Sequence, residues 1–233
     1  MFRKSLKAAV CVLAAGTALA ACGPVKPGAA ALIGHDRITV AKLDSAVTQW
    51  GRELPRYPEA QQIVAQAQGQ QQSGQQIPFD PSSPQRSALY QLIEIRAWDE
   101  LAREQHVSVA PGQVDAFVTS KGGRAGLDAY VLAQGLPTSY ADDFARSLLI
   151  QQTMLQRYGI APGQTVDPQK QQQVLQRLLT DYAGAKRHLG ITVNPRFGTF
   201  DDKTMALGPV CPRLSTPDSG TPDGAPSGVK CQV

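Results

Sequence analysis

Between Gln85 and Gln105 the chain places Leu89, Leu92, Ile93, Ile95, Trp98, Leu101 and Ala102. At 3.6 residues per turn these positions cover a face too broad for a helix that lies with one side in water. Such a helix belongs at the centre of a domain, mostly buried, with other elements packed around it.

Helical spacing recurs on both sides of this segment. Leu43, Val47, Trp50 and Leu54 are separated by four, three and four residues, which predicts a helix from about Ala41 to Leu54, stopped by Pro55 and Pro58. Pro111 suits the first position of a helix to Ser120, ended by Lys121-Gly122-Gly123, and Leu127 to Gln134 reads as a short helix. Ser139 with Asp142 resembles a capping box for a helix that runs to about Tyr158 and buries Tyr140, Phe144, Leu148 and Leu155. Asp167-Pro168 offers a cap and a first-turn proline for a last helix, to about Leu189, with Val174, Leu178, Tyr182 and Ala185 on one stripe. Strand-like residues are confined to the ends of this body. Ala30 to Ile33 precedes a turn at Gly34-His35-Asp36-Arg37, and Ile191-Thr192-Val193 is a β-prone triplet ended by Asn194-Pro195. The expected fold class is mainly α.

Two stretches read as soft. Residues 66–84 combine a glutamine- and glycine-rich run with Pro78, Pro81 and Pro84, too few apolar groups to offset their ordering entropy, and are expected to be a mobile insert. Residues 201–233 carry five prolines among glycine and serine and are expected to be a disordered tail. That leaves residues 30–200 as the helical domain.

Apolar residues make up 42% of the chain, enough for a sizeable core. Aromatic residues make up 6%, which argues against a stacking platform for single-stranded nucleic acid. The formal charge of +4 includes Arg3, Lys4 and Lys7, which sit in a segment expected to be removed. The remainder is close to neutral and makes no electrostatic case for a nucleic-acid partner.

That segment fixes the expected compartment. Residues 1–21 have a positive start and a short apolar run, the pattern of a secretory signal. Leu19-Ala20-Ala21-Cys22 looks like the lipobox of bacterial lipoproteins, in which Cys22 becomes the acylated first residue, with residues 22–29 as a short tether. The protein is then expected at the extracytoplasmic face of the cell membrane, lipid-anchored. The alternative is an ordinary signal peptide cut elsewhere, with Cys22 a bystander thiol. Outside the cytoplasm Cys211 and Cys231 are the pair left to form a disulfide, or else remain free thiols in the tail.

Catalytic patterns are not evident. His35, His106 and His188 read as surface residues in a turn, at a helix end and on a helix flank, and no nucleophile motif accompanies them. Asp142-Asp143 is read as helix-start charge and Asp201-Asp202 as a solvated loop, because adjacent residues do not face one another on a helix. Gly122 to Gly126 lacks the lysine and hydroxyl of a phosphate loop and reads as a turn. Without a CxxC motif or a His/Cys cluster, no metal site and no cofactor are expected.

The order of elements resembles the N-terminal chaperone domain of the SurA family. The resemblance is carried by Ala-Ala-Leu-Ile-Gly-His-Asp-Arg-Ile-Thr-Val at residues 30–40 and by Gln91-Leu92-Ile93-Glu94 on the long helix. Val107-Ser108-Val109 before Gln113-Val114-Asp115, the helices around Tyr130 and Phe144, and residues 193–200 add to it. It covers residues 30–200 and departs from the family in two places. Only Ile160 to Val166 stands where full SurA proteins carry parvulin-type isomerase domains, and the insert before residue 85 is extra.

The resemblance implies that the last helix packs back on the N-terminal unit, with Ile191 to Val193 beside Ala30 to Ile33 in a small closing sheet. It implies a chaperone that binds unfolded or extended polypeptides without catalysis, and transfers no catalytic residue. Trp50, Tyr57 and Phe79 are candidate client-binding residues because they flank the irregular segment, although each also reads as a packing residue. A structural or interaction lipoprotein with a dedicated protein partner is the alternative function, and a prolyl isomerase is a third.

Overall fold

The computed structural model describes residues 27–72, 83–161, 163, 165–201, 203–208 and 210. Cys22, Phe79, Cys211 and Cys231 lie outside the described residues, so their expected roles are not visible here.

The chain opens with a hairpin, β1 (Ala29–Ile33) and β2 (Asp36–Thr39). Thr39 then caps α1 (Val40–Glu53), its side chain accepting the Lys42 N–H at 3.0 Å. A 3-10 turn (Leu54–Arg56) leads into α2 (Pro58–Gln72). The long helix α3 (Pro84–Glu104) is followed by α4 (Pro111–Ser120) and α5 (Gly123–Ala133). After a turn at Thr138–Tyr140 come α6 (Ala141–Arg157) and α7 (Pro168–Leu189). The described chain ends with β3 (Thr192–Val193), a 3-10 turn (Pro195–Phe197), β4 (Phe200–Asp201) and β5 (Ala206–Leu207). The protein is mainly helical with a small antiparallel sheet.

α3 is the central helix, as its broad apolar face requires. Leu89, Ile93 and Leu101 are fully buried along it. Its first half packs with Ala30 and Ile33 of β1, Leu43 of α1, Val131 of α5 and Phe144 of α6. Its second half packs with Ile150 and Met154 of α6 and Leu178, Tyr182 and Ala185 of α7. Trp98 stacks on Tyr182 at 4.1 Å between centroids. Asp167 caps α7 through the N–H groups of Gln169 and Lys170, and Gly190 ends it, as the sequence suggests.

The two ends of the domain meet. β1 lies between β2 and β3, with Ala31 opposite Val193 and Leu32 opposite Thr192. Asn194 continues the contact, its backbone N–H donating to Ala30 O and its side-chain amide to Ala29 O, both at 2.9 Å.

Several boundaries differ from expectation. Residues 66–72, expected at the start of the insert, are helical, because α2 continues through the glutamines to Gln72; glutamine is a good helix former. Ala29, expected in the tether, is the fully buried first residue of β1. Only Gly122 and Gly123 form the glycine-rich turn, both at positive φ (84° and 79°), and α5 starts at Gly123. The Ser139–Asp142 capping box does not form; Asp142 pairs with Arg124 at 2.6 Å, and the Ser139 hydroxyl faces Gln49 Oε1 at 3.3 Å.

The first residues of the expected tail are structured. Residues 200–207 form the β4–β5 hairpin, with Met205 buried. Asp201 enters the hairpin turn with its carboxylate still solvent-exposed, accepting the N–H groups of Lys203 and Thr204 at 2.7 and 3.2 Å. Those bonds hold its carboxyl below the usual range.

Candidate polypeptide-binding face

A short glycine turn joins α4, which is little buried, to α5, which buries Leu127, Val131 and Leu132. None of the ten residues of α4 is fully buried, and its apolar side chains Val114, Phe117 and Val118 are half-buried against the main core. A ten-residue helix is marginal by itself and depends on such packing. Its N-cap, Ala110, lacks a capping oxygen; the Gln113 side chain instead accepts the Ala110 N–H at 2.8 Å.

Tyr130 of α5 stands beside α4, 38% exposed, with its ring edge-on to Phe144 at 5.7 Å. The Lys121 ammonium lies 5.1 Å from the Phe117 ring and 5.9 Å from the Tyr130 ring. The result is a shallow surface of aromatic faces topped by one cation. Such a surface can take apolar groups on its rings and an acceptor oxygen at the Lys121 ammonium. The residues were legible as helical, but the sequence reading passed over this face. Its signal is a short helix carrying Val114, Phe117 and Val118, followed by two glycines.

Of the three expected client-binding residues, Trp50 and Tyr57 are placed on the other side of α5, and Phe79 lies outside the described residues. Trp50 and Tyr57, with Leu54, pack on a small cluster of Ala60, Ala129, Leu132 and Ala133. The Trp50 indole donates to Leu132 O at 2.8 Å, and the Tyr57 hydroxyl to Asp128 Oδ2 at 3.3 Å. Burial, followed by the Asp128 charge, raises the Tyr57 phenol. Asp128 also faces Arg124 at 3.0 Å, and Arg124 bridges to Asp142. These contacts tie α1, α2 and α5 together, so both aromatic residues have their polar atoms turned inward.

A second polar cluster was not anticipated. Lys186 of α7 is 3% exposed, and its ammonium is bonded to Glu94 of α3 and, at 2.9 Å, to Met205 O. The Tyr182 hydroxyl donates to the other Glu94 oxygen, and Lys186 lies 4.6 Å from the Tyr182 ring centre. Burial and the Glu94 charge push the phenols of Tyr90 and Tyr182 up. Arg86, a half-buried residue earlier on α3, donates to Phe197 O at 3.1 Å and Gly208 O at 3.0 Å. α3 and α7 thereby hold the C-terminal hairpin in place.

His35, His106 and His188 are all exposed, and His188 contacts Glu104. Among the described residues no group of three or more His, Cys, Asp or Glu side chains is arranged to hold a metal ion. No described helix is long and apolar enough to cross a membrane. The chain matches no family profile, no curated protein and no solved structure.

Proposed function

We propose that the protein is a membrane-anchored extracytoplasmic folding factor that binds extended or unfolded polypeptide segments without a chemical step. The observation that carries this reading is the α4–α5 face. Phe117, Tyr130 and the half-buried valines of α4 offer apolar contact on a helix that is itself held by partial burial. Weak, reversible binding there lowers the free concentration of exposed chains and so their rate of association. The similarity in element order to SurA N-terminal domains, and a ten-residue connection between α6 and α7 in place of an inserted domain, agree with it. Acylation of Cys22 would keep this activity at the membrane surface.

The mature chain should slow aggregation of an unrelated unfolding protein at stoichiometric ratios, and Phe117→Ser with Tyr130→Ser should weaken that effect several-fold without unfolding the chain. Undiminished aggregation in the presence of the wild type would sink the reading. Cys22→Ser should move the protein from the membrane to the soluble fraction.

One observation favours a second reading, an interaction protein with a dedicated partner. Leu175 and Leu179 lie one turn apart on α7 and are 41% and 64% exposed. Tight capture of a single partner, lost in Leu179→Ser, together with no effect on aggregation, would select it. Catalysed isomerisation of a proline peptide above a heat-killed control would select the isomerase reading instead.

A further inference from the structure

The place where the chain enters the domain is surrounded by cations. The Arg37 guanidinium of β2 donates to Pro27 O. The Val40 N–H donates to Gly28 O at 2.9 Å, which brings the first turn of α1, with Lys42, to the same point. On the other flank of β1, the bonds from Asn194 to Ala29 and Ala30 place the turn that carries Arg196. Arg37, Lys42 and Arg196 are all exposed, and among the described residues none forms a salt bridge. The neighbouring Asp36 carboxylate is turned to Arg96 at 3.6 Å, as alternation along a strand directs. Asp44 is exposed on α1, two residues past Lys42 and so on a different side of the helix.

Chain length supplies the partner. Cys22 and Pro27 are five residues apart in the sequence. Fully extended, that segment reaches about 18 Å. A domain of this size is about 40 Å across. A chain held by acyl groups on Cys22 is therefore on a leash shorter than its own body, and the surface around Pro27 is the one kept against the headgroups.

We propose that the pole formed by Arg37, Lys42 and Arg196 is a docking surface for the anionic headgroup layer of the membrane that carries the Cys22 acyl chains. The inference rests on the reading of Cys22 as the lipidated residue. Each cation near an anionic leaflet strengthens surface binding about fivefold, and the effect fades with salt. Docking orients the domain and keeps it from rolling on its tether.

The test separates orientation from acylation. The mature chain carrying Cys211→Ser and Cys231→Ser is coupled through Cys22 to a maleimide lipid, in vesicles of phosphatidylcholine alone or mixed with phosphatidylglycerol. Amides of residues 36–42, 194 and 196–198 should exchange at least about threefold more slowly on the anionic vesicles, while those of α6 are unchanged. The difference should vanish at about 0.5 M salt. It should also vanish in Arg37→Ala/Lys42→Ala/Arg196→Ala, whose melting in solution verifies its fold. Equal exchange on the two vesicles overturns the docking and leaves the anchor standing. A cell-derived mature chain with no acyl mass on Cys22 overturns the anchor, and with it the membrane as partner.

Discussion

Lys186 stands in the apolar stripe of α7 with its ammonium bonded to Glu94 and the Met205 carbonyl. Two charges this far out of water are tolerated because each remaining polar group has a partner: Tyr182 takes the second Glu94 oxygen. Removing one member leaves the other buried and unpaired. Lys186→Met should therefore cost about 3–5 kcal/mol in chemical denaturation, and Glu94→Leu/Lys186→Met should recover much of the loss. Tyr158 makes a related prediction for pH. Burial first, then its hydrogen bond to the Asp181 carboxylate, pushes its phenol up to about 12. A folded-state value above the unfolded one of about 10 means that this contribution is whole below pH ~10 and is lost as pH rises through the folded value. The melting temperature should fall between pH ~10 and ~12, and Tyr158→Phe should make that fall shallower in thermal melts. Tyr90 and Tyr182, also raised, add to the slope in the same direction. Neither cluster was legible in the sequence. Tyr182 reads as one more member of the apolar stripe and Lys186 as a solvated edge until their shared partner Glu94, some 90 residues away, is in place.

The helices themselves were legible, because their signals are local. The apolar spacing of α3, the Pro111 start of α4 and the Asp167 cap of α7 all act within one or two turns. Errors arose where a neighbouring element overrode a local cue. Ser139 and Asp142 have capping-box spacing, yet Arg124 draws Asp142 away. Gly126 looks like part of a turn but sits inside α5, where a Cβ would meet Lys121 O at 1.9 Å. That glycine is needed for close approach rather than for flexibility. Gly126→Ala should destabilise by about 1–3 kcal/mol, since a backbone carbonyl has little room to shift. Gly184, inside the C-terminal part of α7, meets nothing within 4 Å, so Gly184→Ala should stabilise by about 0.5–1 kcal/mol through helix propensity. Thermal or urea melts of the two variants should move in opposite directions.

At the scale of the whole molecule, the first and last strands of the helical domain close one body around α3. β3 returns to β1, and Arg86 and Lys186 seize the carbonyls of the segment that follows. Closure by the ends explains why the ordered chain extends past residue 200, into a stretch whose composition alone suggested a tail. It also fixes the cationic pole, since β2 and β3 flank the point where the chain enters. The candidate binding face was less legible than the fold: Trp50 and Tyr57 were chosen for lying beside an irregular segment, but they pack inward, whereas Phe117 and Tyr130 are brought together by the turn at Gly122 and Gly123. By itself the sequence determined which segments are helical, where most of them start and stop, and which faces seek burial, because hydrophobic period and capping chemistry act between near neighbours. Only the tertiary structure decided which polar groups meet and which apolar side chains remain half-exposed, because those depend on contacts between residues some 80 to 120 positions apart whose energies no local pattern records.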